Sequence, residues 1–283
     1  MRGYNLTDLT PVFGASIDGL DTSQPLSTRT ASELMQLLDT RGLVVIRNQQ
    51  LSASGFMALA QSLGTPVVHP LNGHTHAEIP ALMLHSNIID NGKSIGYAGT
   101  ERQWRMDGAQ LATPWRASLA YAVEVPTQDG MPLGATSFAS TRAAFDALAP
   151  GLRQQLAGLR AVHPYGTGRK RRATPYFADS GLTQIFKRGI EHPVLRAHPR
   201  TRRPSLYVSE ACTSHISGLN DGDSARLLDE LFLHLAQAQF THVHHWQTGD
   251  LLLWDNCATQ YRTADDYALP QRRLLYRTQL KGP

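Results

Sequence analysis

Apolar residues first recur at helical spacing between Ala31 and Leu38, where Leu34, Leu37 and Leu38 share one face. Pro25-Leu26-Ser27 leads into this segment and Gly42 ends it, as helix boundaries require. Leu43-Val44-Val45-Ile46 is a short, unbroken apolar run and predicts a buried strand. Ser52 predicts the cap of a second helix through Phe56, Leu59, Ala60 and Leu63. His69 to Gln103 reads as loop, with one strand-like piece at Leu82-Met83-Leu84. Ser118 to Val125 predicts another buried strand, and Arg142 to Leu159 two helical turns split by Pro150-Gly151. Periodicity then fades over Thr167 to Arg188, a length of loop that usually carries function or moves. Ser205 to Ser209 predicts a strand, and Asp223 the cap of a helix running to about Ala238. Phe240 to Trp246, a Thr248-Gly249-Asp250 turn and Leu251 to Trp254 read as a hairpin, and Arg273 to Leu280 as the last strand. The expected fold class is mainly β with flanking helices, a sandwich or jelly roll forming one domain over residues 1–283, with no internal repeat.

Composition narrows the function classes. Of 283 residues 41% are hydrophobic and 18% charged, the balance of an ordinary globular chain. The net charge of +4 is concentrated at Arg169 to Arg172 and Arg200 to Arg203, read as solvated loops because no aromatic stacking series accompanies them. No nucleic-acid partner is therefore expected, whereas a mildly basic chain suits a small anionic substrate. Cys212 and Cys257 form no disulfide framework, and the first residues show no signal-peptide core, so the expected location is cytoplasmic. No apolar run approaches membrane-spanning length, and a homo-oligomer is compatible with this composition. G-x-S-x-G, H-E-x-x-H and P-loop motifs are absent; Trp246 and Trp254 are expected in the core.

Three stretches carry chemistry: Trp104-Arg105-Met106-Asp107, Gly249 to Asn256 running on to Tyr261, and Pro270 to Arg277. In this order they resemble the taurine/dichlorophenoxyacetate dioxygenase family, whose members use Fe(II) and 2-oxoglutarate. The resemblance extends over nearly the whole chain. It includes Gly42 to Gln49, Val68-His69-Pro70, Leu159 to His163, His192-Pro193-Val194 with Arg196 to Pro199, and Thr213 to Leu219. It implies a double-stranded β-helix and an iron held by a His-x-Asp pair plus a distal His. Two imidazoles and one carboxylate on one face leave open positions for 2-oxoglutarate and O₂.

Here the His-x-Asp is Arg105-Met106-Asp107, and the distal position, counted through Trp254-Asp255-Asn256, is Tyr261. Only Asp107 of the triad remains. Arginine has no lone pair to give and keeps its proton, so an Arg105–Asp107 ion pair is expected in place of the metal. The alternative is that Arg105 turns out and one of His69, His74, His76 and His85 substitutes. The resemblance further assigns Arg273 and Thr136 to the distal carboxylate of 2-oxoglutarate, and His69 and Arg277 to the substrate. Residues 273, 275 and 277 share one strand face.

Three functions follow. One is a metal-free enzyme in which Arg105, Asp107 and Tyr261 act on a small anion by elimination, isomerisation or cyclisation, with cations lowering the Tyr261 pKa. Another is an Fe(II)/2-oxoglutarate oxygenase with non-standard ligands. The third is a non-catalytic small-anion binder.

Overall fold

Alternation along the central strands sorts their apolar residues onto two faces with different neighbours. The computed structural model describes residues 4–68, 74–99, 102–164 and 189–282. An eight-stranded sheet runs in the order Asn5–Asp8, Ala15–Asp18, Leu43–Ile46, Leu251–Asp255, Ala117–Glu124, Leu274–Leu280, Ile79–Ser86, Thr75–His76. All neighbours pair antiparallel except Ala15–Asp18 with Leu43–Ile46. Val44, Ile46, Leu119, Tyr121, Leu251 and Leu253 pack with helices α1 (Thr28–Arg41) and α2 (Ala53–Leu63). Leu43, Val45, Ala120, Ala122, Leu252, Trp254 and Leu275 face the other way, onto Phe138 and Tyr261 of a second sheet. That sheet has the order Thr241–His244, Thr136–Ser140, Thr259–Thr263.

The helices begin and end where their capping chemistry is satisfied. Ser27 and Ser52 accept hydrogen bonds from the Thr30 and Gly55 amides, each such cap contributing about 1 kcal/mol. Gly42 closes α1 in the left-handed region, and a Cβ there would lie 3.1 Å from the Phe13 ring. A separate apolar cluster joins α3 (Thr141–Asp146), α4 (Pro150–Leu156) and α5 (Asp221–Leu235) through Ala144, Leu156, Leu228 and Leu231.

Several expectations change. The Phe240–Trp254 hairpin does not form: Thr241–His244 pairs with Thr136–Ser140 in the small sheet, whereas Leu251–Asp255 lies between Leu43–Ile46 and Ala117–Glu124. Leu251 to Trp254 are buried throughout and need strands on both sides; Thr241–His244 is only partly covered and suits an edge. Helix α5 starts earlier than expected, capped by Asn220 rather than Asp223, and the strand predicted at Ser205 to Ser209 is Pro204–Leu206. Asn5–Asp8 and Ala15–Asp18 form strands where none was expected. The predicted loop at Thr167 to Arg188 and the basic run at Arg169 to Arg172 lie outside the described residues. Among the described residues no helix is long and apolar enough to cross a membrane.

Candidate active site

The space between the two sheets holds the polar residues of interest, because period-2 alternation that places Ala120, Ala122 and Leu275 there also places Ser118 and Arg277 there; Arg273, just before the last strand, is buried as well. Arg105 and Tyr261 sit opposite one another. Each amide donates to the other's carbonyl at 3.0 Å, in an antiparallel bridge that continues the small sheet. Two residues on from Arg105, Asp107 turns its carboxylate to the same region.

Asp107 accepts from three side chains. Tyr261 donates its hydroxyl proton to Oδ1 at 3.0 Å, and Ser118 donates to Oδ2 at 2.6 Å. Ser118 in turn accepts from Asn256 Nδ2 at 3.0 Å. Arg277 Nη2 forms a close ion pair with Asp107 Oδ2 and donates to the Tyr261 hydroxyl at 2.6 Å. The expected partner of Asp107 was Arg105; in the structure Arg277 hydrogen-bonds the carboxylate, and Arg105 adds the attraction of its charge. The Arg277 guanidinium also stacks on Trp254 and Tyr261, 5.1 and 5.0 Å from the ring centroids. Exposure of the Arg277 and Asp107 side chains is 7% and 12%, so this cluster is largely out of water.

Its protonation states follow. Burial pushes the Asp107 carboxyl up, but the Arg277 charge, the Ser118 and Arg277 hydrogen bonds and the Arg105 charge together hold it below the ordinary range. Burial pushes the Tyr261 phenol up, and the nearby cations do not reverse this. The expectation of a lowered tyrosine pKa is thereby corrected: desolvation and the Asp107 charge outweigh the two arginines. At neutral pH the pair is an ionised carboxylate beside a protonated phenol.

These residues do not fit an Fe(II) ion. Arg105 has no donor pair, Tyr261 keeps its proton, and the one carboxylate is already bonded to a guanidinium. Among the described residues the one group of three His, Cys or carboxylate ligands within 4.8 Å is His198, Asp255 and Cys257. It is a structural knot. His198 Nδ1 accepts from the Arg200 and Thr201 amides at 3.2 and 3.0 Å, which puts the ring proton on Nε2, 2.9 Å from Asp255 Oδ2. Burial pushes the Cys257 thiol up to about 12, so it too is protonated. His74, His76 and His85 form no such group with Asp107. His69 lies outside the described residues.

A second cation is differently placed. Arg273 is buried, its amide donates to Asn87 Oδ1 at 2.8 Å, and its Nη1 donates to the Tyr267 hydroxyl at 3.1 Å. Among the described residues no carboxylate forms an ion pair with it. Gly134 lies against it: a Cβ there would be 3.0 Å from the Tyr267 ring and 3.5 Å from Arg273 Nε. Two residues on, buried Thr136 accepts from Trp246 Nε1 at 2.9 Å, leaving its own hydroxyl proton to give. Arg273 with Thr136 therefore fits the distal carboxylate of 2-oxoglutarate or a similar acid. Ser118, Asn87 and Tyr267 were missed from the sequence. Only Asn256 stood in a quoted motif, and no spacing signal marks the other three.

Comparison with known proteins gives the family and the fold. Residues 5–279 match the family model described as taurine catabolism dioxygenase TauD, TfdA family. Pentalenolactone F synthase of Streptomyces arenae is 29% identical over 89% of this chain and 88% of its own length. The alpha-ketoglutarate-dependent 2,4-dichlorophenoxyacetate dioxygenase of Cupriavidus pinatubonensis is 29% identical over 95% and 94%. Among solved structures, AAD-2 in complex with Mn(II) and N-oxalylglycine superimposes with a TM-score of 0.81 at 25% identity, covering 99% of this chain and 98% of that one. A taurine dioxygenase from Burkholderia xenovorans gives 0.80 at 27% identity, covering 99% and 90%. The chain belongs to the TauD/TfdA family of taurine catabolism dioxygenases.

Proposed function

We propose that this family member binds a small anionic metabolite at Arg273 and Thr136 and acts on it without an Fe(II) facial triad, by redox-neutral acid–base chemistry at Asp107 and Tyr261. The observation that carries this is the Arg277 guanidinium bonded to Asp107 and Tyr261, where the family's metal would need lone pairs. Two sheets with polar residues converging between them support the double-stranded β-helix as the framework. A cytoplasmic location is in keeping with two unbonded cysteines.

The protonation states suit an isomerisation or elimination. Asp107 is ready to take a proton from the substrate, and Tyr261 to give one to an oxygen of it. Arg277 would stabilise the phenolate so formed. The 3.0 Å hydrogen bond between Tyr261 and Asp107 then returns the proton and resets the pair. Electrons balance without an oxidant. The substrate must first displace one of these mutual bonds, so the anion also competes for Arg277.

The second reading, an oxygenase with non-standard ligands, is favoured by relatives named as alpha-ketoglutarate-dependent and by the Mn(II) complex. A non-catalytic anion binder is favoured by the fact that Asp107, Tyr261 and Arg277 are already bonded to one another. The test is anaerobic Fe(II) loading followed by elemental analysis and 2-oxoglutarate-dependent O₂ uptake, beside calorimetric 2-oxoglutarate binding. Stoichiometric iron with O₂ uptake would overturn the proposal. Iron-free protein that binds 2-oxoglutarate, loses it on Arg273→Gln and exchanges its C3 protons with D₂O would support it. Binding without exchange would favour the anion binder.

A further inference from the structure

On the far side of the main sheet, α1 and α2 border a cleft of about 330 Å³. It shares no lining residue with the Asp107 or Arg273 clusters. Ala31, Met35 and Leu63 give it an apolar floor, and Ser32 stands exposed at its lip. Arg116 and Arg200 line it as well.

Both guanidiniums converge on Asp39, one helical turn beyond Met35. Arg116 Nη2 reaches both carboxylate oxygens at 3.2 Å, and Arg200 Nε reaches Oδ2 at 2.9 Å. Two cations against one carboxylate leave one positive charge. They also leave donors without acceptors. Arg116 Nε is buried with no hydrogen-bond partner, and among the described residues nothing accepts from either Nη of Arg200, whose side chain is 50% exposed. An arginine fork with unused parallel N–H groups matches a carboxylate in shape and charge.

We propose that this cleft is a second ligand site, taking a small carboxylate with an aliphatic body: the carboxylate on Arg200 and Arg116, the chain over Ala31, Met35 and Leu63. Thr28 and Ser62 also line the cleft, so beyond the two arginines it offers hydroxyls and apolar side chains but no further cation for a second carboxylate. The site is independent of the reaction proposed above, since neither cluster supplies a residue to the other.

Calorimetric titration of the full chain with hexanoate tests it, with hexan-1-ol as the uncharged analogue. Saturable hexanoate binding is expected, weakened about tenfold by Arg200→Gln, the scale of one charge-assisted hydrogen bond. Ser32→Glu, at an exposed helical position, should weaken it similarly by placing a like charge at the lip, which keeps the test available if Arg200→Gln folds poorly. Arg273→Gln should leave it unchanged. Three outcomes would overturn the site: no saturable hexanoate binding, equal binding of hexan-1-ol, or hexanoate affinity that falls with Arg273→Gln and not with Arg200→Gln and Ser32→Glu.

Discussion

Arg277 and Asp107 lie 170 residues apart in sequence and form a buried ion pair between the Leu274–Leu280 strand and the Trp104–Asp107 segment. The pair is held from three sides by Tyr261, Ser118 and the Trp254 ring. A cation fixed by the protein thus neutralises the carboxylate that the resemblance assigns to the family's metal triad.

Restoring the two histidines alone should not restore metal binding. In an Arg105→His, Tyr261→His double variant the Asp107 carboxylate remains paired with Arg277. Adding Arg277→Met frees it. The triple variant should bind Co(II) at least about tenfold more tightly than the double, in line with the effect of ligand-orienting neighbours on metal affinity. Visible absorption of Co(II) at the site reads this directly. Equal affinities in the two variants would mean that Arg277 does not hold Asp107 as described.

The same pair predicts a stability cycle. Asp107→Asn leaves the Arg277 charge buried without its counter-ion, a change that costs roughly 3–5 kcal/mol when such a pair is broken. Replacing both, Asp107→Asn with Arg277→Met, should recover most of that loss because no unpaired charge is left behind. Urea unfolding of the two single variants and the double gives the coupling. A double variant as unstable as the sum of the singles would show that the two side chains are not energetically linked.

Much of this arrangement can be read from residue order, and the part that cannot has a physical cause. The buried strands were legible: Leu43–Ile46 and Leu251 to Trp254 are unbroken apolar runs and are buried throughout. Motif order singled out Arg105, Asp107 and Tyr261, and the bridge between residues 105 and 261 and the Tyr261–Asp107 hydrogen bond put the three in one region. Which arginine pairs with Asp107 was not legible. Arg105 is two residues away and Arg277 is on another strand, and only the crossing of the chain between sheets decides the distance. The failed hairpin has the same origin. The Thr248-Gly249-Asp250 turn is a local signal, but the partners of Leu251–Asp255 are chosen by burial on both of its faces. Asn5–Asp8 escaped notice because all four of its residues are exposed and no apolar alternation marks it.

His163 should make stability fall toward acid pH. Its ring is fully buried between His192 and Tyr207, and burial, with the His192 and Arg196 charges, lowers its pKa from 6.5 to about 3. A base whose folded pKa is depressed binds its proton first in the unfolded chain. Its contribution is therefore complete above about pH 6.5 and is lost as pH falls from there toward 3. The slope is up to about 1.4 kcal/mol per pH unit for one proton. His192, lowered for the same reasons, acts in the same direction. Urea midpoints at pH 7, 6 and 5 should converge less steeply for His163→Gln than for the wild type. A slope unchanged by that substitution would show that His163 is not the group being titrated.

Gly134 predicts how tightly the Arg273 pocket is built. Its φ of +69° lies in the left-handed region, and a Cβ would meet the Tyr267 ring at 3.0 and 3.2 Å. Gly130 has nearly the same backbone, φ +79°, with nothing within 4 Å of the added carbon. Gly130→Ala should therefore cost only the backbone term, about 1–2 kcal/mol. Gly134→Ala should cost that plus the displacement of Tyr267, and with it the hydroxyl that Arg273 Nη1 engages. If Arg273 is the anchor for a carboxylate, 2-oxoglutarate affinity should fall about tenfold or more for Gly134→Ala, the scale of one charge-assisted hydrogen bond, and stay level for Gly130→Ala. Thermal unfolding and calorimetry of both variants separate the two effects. Equal loss of stability with unchanged binding in both would remove Tyr267 and Gly134 from the pocket.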